Sequence, residues 1–216
     1  MSANRVMFTD RSDAAVRLKE YLPRDRMKQE KWQLVAVSSG GLELMHYLNE
    51  RLHLAKDFLF SAGIYAPKNS ECELARVSEH EEIVINDSLV KTFGIKYDYI
   101  YGEASRKYEE KILGYVYKYR KGKHFGDMEG KTILLVDEGA ESGLKLMAAI
   151  KTVLAMRPKA VYVAVPVLPS DLLDSLEPLT DEIFYISALD DYIDTKSYYE
   201  SLEPVTDALI EQYLGE

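Results

Sequence analysis

A run of apolar residues that ends in two acids constrains the fold of this chain more than any other feature. The segment 133–136 has no polar interruption and leads into Asp137 and Glu138. A short loop of mostly small residues follows, and then a helical pattern from Leu144 to Met156. Unbroken apolar runs of this length are typical of strands covered on both faces, as in parallel α/β sheets. The pattern therefore predicts a buried strand with the two acids at its carboxyl end.

The position of this loop also predicts a ligand site. Parallel α/β sheets bind ligands at the carboxyl ends of their strands, and the free N–H groups at a helix N-terminus attract anions. Two carboxylates beside such a loop suit a sugar phosphate, because acids accept hydrogen bonds from hydroxyls while the loop holds the phosphate. A purely structural alternative stays open, in which the acid only caps the following helix.

These residues resemble the phosphoribosyl-diphosphate (PRPP) binding motif of type I phosphoribosyltransferases. The resemblance implies that Asp137 and Glu138 bind the ribose hydroxyls and act in catalysis. It also implies that the 5′-phosphate is held by the loop residues Gly139, Ala140, Glu141, Ser142 and Gly143. Glu138 stands where Asp is usual, and Ser142 stands where Thr is usual, so both keep the chemistry. The Glu141 carboxylate would repel a phosphate unless it turned away.

A second strand-to-glycine segment resembles the first loop of the same family. Residues 33–37 are apolar after Gln33, and a helix is predicted from Leu42 to Leu52. In the family this loop holds the diphosphate, so the resemblance adds the substrate-binding residues Ser38, Ser39, Gly40 and Gly41. Ser39 replaces an Arg that is common in related chains. A plain turn between strand and helix is the alternative, since glycine suits any positive φ there.

A third segment departs further from the family. Related chains end a strand near residues 57–67 with a basic pair that neutralises the diphosphate, whereas this chain has Ser61 and Ala62. Lys68 is the nearest substitute. Because a hydrogen bond to a charged group contributes roughly 1.5–3 kcal/mol, two such losses would weaken diphosphate binding by about two orders of magnitude or more. The resemblance therefore predicts the fold more firmly than it predicts catalysis.

Residues 97–126 form a tyrosine- and lysine-rich insertion. Residues at helical spacing predict an amphipathic helix that packs a tyrosine face on the body or on a second subunit, which leaves a homodimer open. The stripe consists of Tyr97, Tyr101, Ala104, Tyr108, Ile112, Tyr115 and Tyr119. The family resemblance offers another interpretation, a basic lid that closes over substrate. Its substrate-binding residues would be Lys118, Arg120 and Lys121.

Length and composition agree with a single domain over residues 1–216, without a flexible linker, and the resemblance implies that this domain is phosphoribosyltransferase-like. The net charge of −9 argues against binding to duplex nucleic acid. No segment approaches the ~20 apolar residues that cross a bilayer, so no membrane partner is expected. The single cysteine, Cys72, excludes an internal disulfide within the chain. The N-terminus lacks a signal-peptide pattern, and we expect a cytoplasmic protein.

The remaining pattern completes the expected fold class: α/β, with a doubly wound, mainly parallel sheet and helices on both faces. Further strands are predicted at residues 160–165 and 182–187, and further helices at 170–176 and 205–214. Ser170 is the expected N-cap of the first of these helices.

Two function classes follow from the resemblance. The first is a phosphoribosyltransferase that moves ribose 5-phosphate from PRPP to a nitrogenous base, with Mg²⁺ carried by the diphosphate. The second is a non-catalytic member of the same fold that binds a nucleotide or sugar phosphate in a regulatory role. In both, the partner is a small phosphoribosyl or nucleotide ligand. A response-regulator-like protein fits poorly, because there the acids are scattered over several strand ends.

Overall fold

A five-stranded parallel sheet forms the centre of the molecule, in a computed structural model that describes residues 6–215. Its strands are β1 (Gln33–Ala36), β2 (Lys56–Phe58), β6 (Thr132–Val136), β7 (Ala160–Pro169) and β8 (Glu182–Leu189). The strand order is β2-β1-β6-β7-β8, and each neighbouring pair is parallel. The first crossover leads outward from β1 to β2, and the later strands extend the sheet in the other direction.

Helices connect these strands and cover the sheet. The α-helices are α1 (Arg11–Leu18), α2 (Arg24–Gln29), α3 (Ser39–Asn49), α4 (Asp87–Thr92), α5 (Tyr97–Lys107), α6 (Leu113–Arg120), α7 (Leu144–Ala155), α8 (Asp171–Leu176) and α9 (Asp207–Gly215). A π-helical turn (Tyr108–Ile112) joins α5 to α6, and a 3₁₀ turn (Thr195–Tyr198) precedes α9. Among the described residues, no helix is long and apolar enough to cross a membrane.

Both faces of the parallel sheet are buried. Leu34 and Leu134 belong to a core that includes residues of α1 and α3. Val35 and Leu135, which point to the opposite face, belong to a second core with α7 and α8. All of β6 is buried, which explains its unbroken apolar sequence. The predicted α/β fold class, with a mainly parallel sheet and helices on both faces, is confirmed.

A separate antiparallel sheet lies between β2 and β6 in the chain. Its strands are β3 (Ser61–Ala66), β4 (Asn69–Ser78) and β5 (Ile83–Ile85), in the order β3-β4-β5. The buried hydroxyls of Ser78 and Thr152 are 2.7 Å apart and link β4 to α7. Residues 57–67, interpreted from sequence as one strand segment, thus belong to two different sheets. Ala62 is buried, so a basic side chain at that position would point into the core.

Several predicted boundaries need correction. Helix α3 begins at Ser39 rather than Leu42, because the Ser38 side chain accepts a hydrogen bond from Gly41 N and caps the helix earlier. Strand β7 continues beyond Pro166. The proline is tolerated there because β6 has already ended opposite Ala164, so that side of β7 needs no ladder hydrogen bond. The Ser170 side chain does not cap α8, since its hydroxyl donates to Asp190 instead.

The insertion is a nearly continuous helix from residue 97 to residue 120, and it packs by only part of its predicted stripe. Ala104 and Ile112 are buried, and Tyr108 and Tyr119 pack against the core. Its buried positions recur every four residues or multiples of four, at Ile100, Ala104, Ile112 and Val116. In a regular α-helix, positions four residues apart gradually rotate away from the face that packs on the body. The wider π turn at 108–112 brings the later positions back to that face. Tyr97 and Tyr101 are therefore 40% and 52% exposed. The predicted packing face is wrong at these positions.

The end of α6 is held by a buried ion pair. The guanidinium of Arg120 contacts the Glu79 carboxylate, and both side chains are less than a tenth exposed. The same guanidinium lies 4.7 Å from the centroid of the Phe60 ring. Burial raises the pKa of the Glu79 carboxyl, while the Arg120 charge opposes that rise. Arg120 thus joins the insertion to the segment after β4.

We predict that Arg120→Ala lowers the free energy of unfolding by about 3–5 kcal/mol, because it leaves a buried carboxylate without its partner. Urea unfolding followed by circular dichroism measures this effect. The matched control is Arg106→Ala, which removes an ion pair with Glu103 on the exposed face of α5 and should leave the midpoint nearly unchanged. Equal effects of the two variants would contradict the assignment of Arg120 as a structural residue.

Candidate functional site

The loop of residues 137–143 lies where β6 ends and α7 begins, and it forms one wall of a cavity. We call this cavity the motif pocket; its volume is about 290 Å³. Its other lining residues come from the antiparallel sheet, from α7 and from the chain after β8. They are Tyr65, Glu73, Arg76, Lys145, Leu146, Thr195, Lys196 and Leu202. The motif predicted from sequence thus opens onto a cavity.

Asp137 is the most buried acid of the site, at 1% exposure. Its Oδ1 accepts hydrogen bonds from Ser38 Oγ at 2.5 Å and from Glu138 N at 2.9 Å. Its Oδ2 is 3.1 Å from Lys145 Nζ. Asp137 therefore connects three elements at the carboxyl edge of the sheet: the start of α3, the end of β6 and the first turn of α7.

Glu138 contacts one residue near the start of the chain and one near its end. Its Oε2 is 2.5 Å from Arg11 Nε, and Tyr199 Oη donates to its carbonyl oxygen at 2.7 Å. Arg11 is itself buried and also contacts the Glu43 carboxylate at 2.9 Å and the Glu203 carbonyl oxygen at 2.8 Å. Burial raises the pKa of the Glu138 carboxyl, and the Arg11 charge opposes that rise. Neither acid is a free side chain.

The glycine pair at the start of α3 is required by packing against the motif. A Cβ on Gly40 would overlap the Glu138 carboxylate, and a Cβ on Gly41 would clash with the Val136 carbonyl oxygen. Both glycines are buried. Ser38 and Ser39, by contrast, line a second cavity. The role of this segment as a diphosphate loop stays a prediction, and close approach already accounts for its glycines.

The rest of the motif loop has the features of an anion cradle. Gly143 precedes α7 with a φ of 73°, a backbone conformation that favours glycine, and no side chain caps this helix. The Glu141 carboxylate accepts a hydrogen bond from Thr195 N at 3.2 Å, so it turns toward the 3₁₀ turn. The Ala140 amide is engaged by Val167 O, whereas Ser142 is exposed.

Two cations that line both cavities were not identified from the sequence. Lys145, in the first turn of α7, and Arg76, from β4, line both the motif pocket and the second cavity. Arg76 donates to Ser61 Oγ at 3.0 Å and pairs with Glu73 at 2.8 Å. Lys145 follows the motif so closely that its position in the first turn of the helix could have been predicted from the sequence. Arg76 is remote in sequence, and only the antiparallel sheet brings it to the site.

The second cavity, which we call the aromatic cleft, adjoins the motif pocket and has a volume of about 220 Å³. Its apolar and aromatic walls come from the ends of β1 and β2, from α6 and from α9. The lining residues are Val37, Ser38, Ser39, Phe58, Leu59, Phe60, Ser61, Arg76, Tyr115, Tyr119, Lys145 and Ile210. The insertion therefore contributes two tyrosines to the site.

The predicted lid residues do not line either cavity. Lys118 pairs with Asp207 of α9 at 2.5 Å, and both side chains are exposed. Arg120 is buried against Glu79. Lys121 ends α6 in a left-handed conformation with a φ of 52°. Whether these residues bind substrate stays a prediction; in this conformation Lys118 and Arg120 are in ion pairs and Lys121 is exposed.

Comparison with known proteins agrees with the family that the sequence resembles. No protein-family model matches the chain. Two curated relatives, from Mycobacterium tuberculosis strains CDC 1551 / Oshkosh and H37Rv, share the name "Putative phosphoribosyl transferase"; each is 24% identical over 178 residues, or 82% of this chain. The chain spans only 39% of the length of these relatives.

A solved structure matches the fold over nearly the whole chain. The protein TT1426 from Thermus thermophilus is 26% identical, with a TM-score of 0.75 and coverage of 97% of this chain and 98% of that one. A looser likeness, with a TM-score of 0.43 and 15% identity, is to the purine phosphoribosyltransferase of Pyrococcus horikoshii. With TT1426, the chain shares an α/β fold over nearly its whole length.

The Arg11–Glu138 pair yields a pH-dependent prediction. We expect Arg11→Met to lower the free energy of unfolding by about 3–5 kcal/mol near pH 7, because Glu138 loses its buried partner. Without Arg11 the folded-state pKa of Glu138 rises further above its ordinary value of 4.5. The folded state then binds a proton more tightly than the unfolded state, so stability falls as the pH rises above 4.5.

Urea unfolding of wild type and Arg11→Met between about pH 5 and pH 8 measures this effect, and the gap between them should widen with pH. The groups that face the Glu138 carboxylate are Arg11, Asp137 and Lys145. Glu138→Gln is the control background, in which the added pH dependence of Arg11→Met should shrink to what the Arg11–Glu43 pair contributes. A gap that is constant with pH in both backgrounds would contradict the proposed charge pairing.

Proposed function

We propose that this protein is a phosphoribosyltransferase, which binds the ribose 5-phosphate group of PRPP in the motif pocket and transfers it to a nitrogenous base. The observation that carries the proposal is the cavity at the carboxyl end of β6. The whole loop 137–143 lines it, and the uncapped start of α7 follows directly. The name of the M. tuberculosis relatives supports the same activity.

In this proposal the 5′-phosphate lies against the loop from Gly139 to Gly143. The Ser142 hydroxyl and the amides of the first turn of α7 donate to its oxygens, and the helix dipole favours the negative charge. Glu141 does not oppose this arrangement, because its carboxylate turns toward Thr195. The ribose hydroxyls then lie on the side of Asp137 and Glu138, where charged acceptors form the stronger hydrogen bonds.

Arg76 and Lys145 are the proposed source of the positive charge that the sequence lacks at Ser39 and Ser61. Both line the motif pocket, and Arg76 reaches the Ser61 hydroxyl directly. Each already has an acidic partner, Glu73 or Asp137. The net charge that these two offer a diphosphate is therefore small, so the remaining positive charge comes from Lys196, which also lines the pocket, and from a cation that the ligand carries.

Mg²⁺ is that cation in our proposal. Among residues 6–215, no group of three or more His, Cys, Asp or Glu side chains is arranged to hold a metal ion, so we assign Mg²⁺ to the diphosphate oxygens and water. When bound, it would neutralise charge on the leaving diphosphate. A ring nitrogen of the base forms the bond to ribose C1 as the bond from C1 to the diphosphate oxygen breaks. The electron pair leaves with the diphosphate, and the base releases its N–H proton to water.

A non-catalytic protein that binds a nucleotide or sugar phosphate in a regulatory role is the second candidate. The specific observation in its favour is that the charged side chains of the site already have protein partners. Asp137 contacts Ser38 and Lys145, and Glu138 contacts Arg11. A nucleoside monophosphate needs only the phosphate loop and hydroxyl acceptors. Such a ligand has no diphosphate whose negative charge the site would have to neutralise.

The deciding experiment combines binding with turnover. Calorimetric titrations with Mg²⁺-PRPP, AMP, UMP and ribose 5-phosphate compare the ligands, and diphosphate release is followed with common purine and pyrimidine bases. Binding of Mg²⁺-PRPP together with base-dependent release of diphosphate establishes the enzyme. Binding of the monophosphates without PRPP binding or release favours the second candidate. Absence of binding by all four ligands overturns both.

We predict that Lys145→Gln weakens Mg²⁺-PRPP binding by at least about tenfold, since a charged hydrogen bond contributes roughly 1.5–3 kcal/mol. Glutamine keeps a donor near the buried Asp137 oxygen while removing the charge. Lys151→Gln is the matched control, because Lys151 is exposed on the same helix and does not line the motif pocket. Calorimetry gives the affinities, and equal affinities for the two variants would exclude Lys145 as a ligand of the diphosphate or phosphate.

A further inference from the structure

The helical insertion has one face that points away from the body of the molecule. Its buried positions are Ile100, Ala104, Ile112 and Val116. Since an α-helix turns by about 100° per residue, a residue two places from a buried one points the opposite way. These residues form an outward row with a spacing of four, and all of them are exposed. The outward row consists of Asp98, Gly102, Arg106, Glu110, Gly114 and Lys118.

The two glycines of the outward row have no explanation within the chain. A side chain added at Gly102 or Gly114 would meet no atom of the described structure within 4 Å, apart from the neighbouring backbone of its own helix. Neither glycine has a positive φ. Glycine destabilises the interior of a helix relative to alanine. A backbone that approaches closely from outside the molecule accounts for both positions.

The order of charges along the outward row is self-complementary. It reads acid, glycine, base, acid, glycine, base, so the reversed row has a base wherever the row has an acid. Two antiparallel copies therefore place opposite charges, or two glycines, against each other at every position. The pairs are Asp98 with Lys118, Gly102 with Gly114, and Arg106 with Glu110. A two-fold interface requires this property, because both copies use the same surface, whereas an unrelated partner does not.

Exposed tyrosines lie beside both glycines. Tyr101 is 52% exposed and Tyr117 is 70% exposed, and each is near one of the glycines on the same helix. Tyrosine is enriched at protein interfaces, because it buries a large ring while its hydroxyl finds a polar partner. In the antiparallel pair, each ring lies near the notch left by a glycine of the other copy. Burial of these rings supplies the affinity, while the exposed ion pairs mainly fix the register.

We propose that two copies of this chain associate through the outward row, antiparallel and related by a two-fold axis near Tyr108. From Tyr97 to Arg120 the helix is about 36 Å long. A standard interface of about 800 Å² per partner is roughly 30 Å across, so the helix is long enough. The surface lies outside both cavities and does not depend on the proposed activity. Because Tyr115 and Tyr119 of the same helix line the aromatic cleft, the second copy also supports the wall of that cavity.

Sedimentation equilibrium tests the association. We expect wild type at tens of micromolar to have twice the chain mass of 24.7 kDa. Gly102→Leu should weaken the dimer by at least about tenfold, because the added side chain meets the second copy and nothing within its own chain. The matched control is Gln29→Leu, which puts the same side chain on the exposed face of α2 and should leave the association unchanged.

Charge reversal tests the antiparallel register. Asp98→Lys alone, or Lys118→Glu alone, places like charges opposite each other at two points, and each should weaken the dimer by about three- to tenfold. The double variant exchanges the two charges and should return to within about twofold of wild type. For the same reason, an equimolar mixture of the two single variants should form the heterodimer in preference to either homodimer.

The outcomes are distinct. A wild type that stays monomeric at these concentrations overturns the interface, and so does a dimer that Gly102→Leu and Gln29→Leu affect equally. Single charge reversals that have no effect, or that the double variant does not compensate, overturn the antiparallel register. Far-UV circular dichroism checks that the variants fold. The wild-type mass and the charge reversals decide the question even if Gly102→Leu does not fold.

Discussion

The buried carboxylate of Asp137 is the contact on which the geometry of the site depends. It accepts from Ser38 at the start of α3 and pairs with Lys145 in the first turn of α7. A buried charge is tolerated only when it is paired and hydrogen-bonded, so these two elements must meet β6 at one point. That meeting fixes the start of α7, where the loop proposed for the phosphate ends, and it places Ser38 beside the aromatic cleft.

A second layer of contacts surrounds this one and involves both ends of the chain. Arg11 from α1 pairs with Glu138, and Tyr199 donates to the backbone of the same residue. Phe8 forms a β-bridge with Tyr199, so the N-terminal and C-terminal segments support each other as well as the motif. The acids that sequence reasoning assigned to ribose hydroxyls therefore also have a structural role. The same side chains can serve both roles only if their protein partners leave acceptor oxygens available.

The sequence was sufficient for the parts of the fold that rest on local pattern. The apolar run before Asp137 identified β6, and the motif spacing located the loop in front of α7. Arg76 could not be placed, because its position depends on the pairing of β3 with β4, and such pairing is set by non-local contacts. The π turn misled the interpretation of the insertion, since a strict α-helical period points to Tyr97 and Tyr101 instead of Ile100.

The pairing of the site's cations with protein carboxylates bears on the choice between the two function classes. Both cations that line the two cavities have a protein carboxylate as partner: Lys145 with Asp137, and Arg76 with Glu73. A singly phosphorylated ligand needs only the amides and helix dipole of the loop for its charge. A diphosphate requires either its own Mg²⁺ or a rearrangement that releases one of these cations. If the protein is the proposed transferase, catalysis thus depends on whether the substrate can replace an existing ion pair, since the loop proposed for the phosphate is already in place.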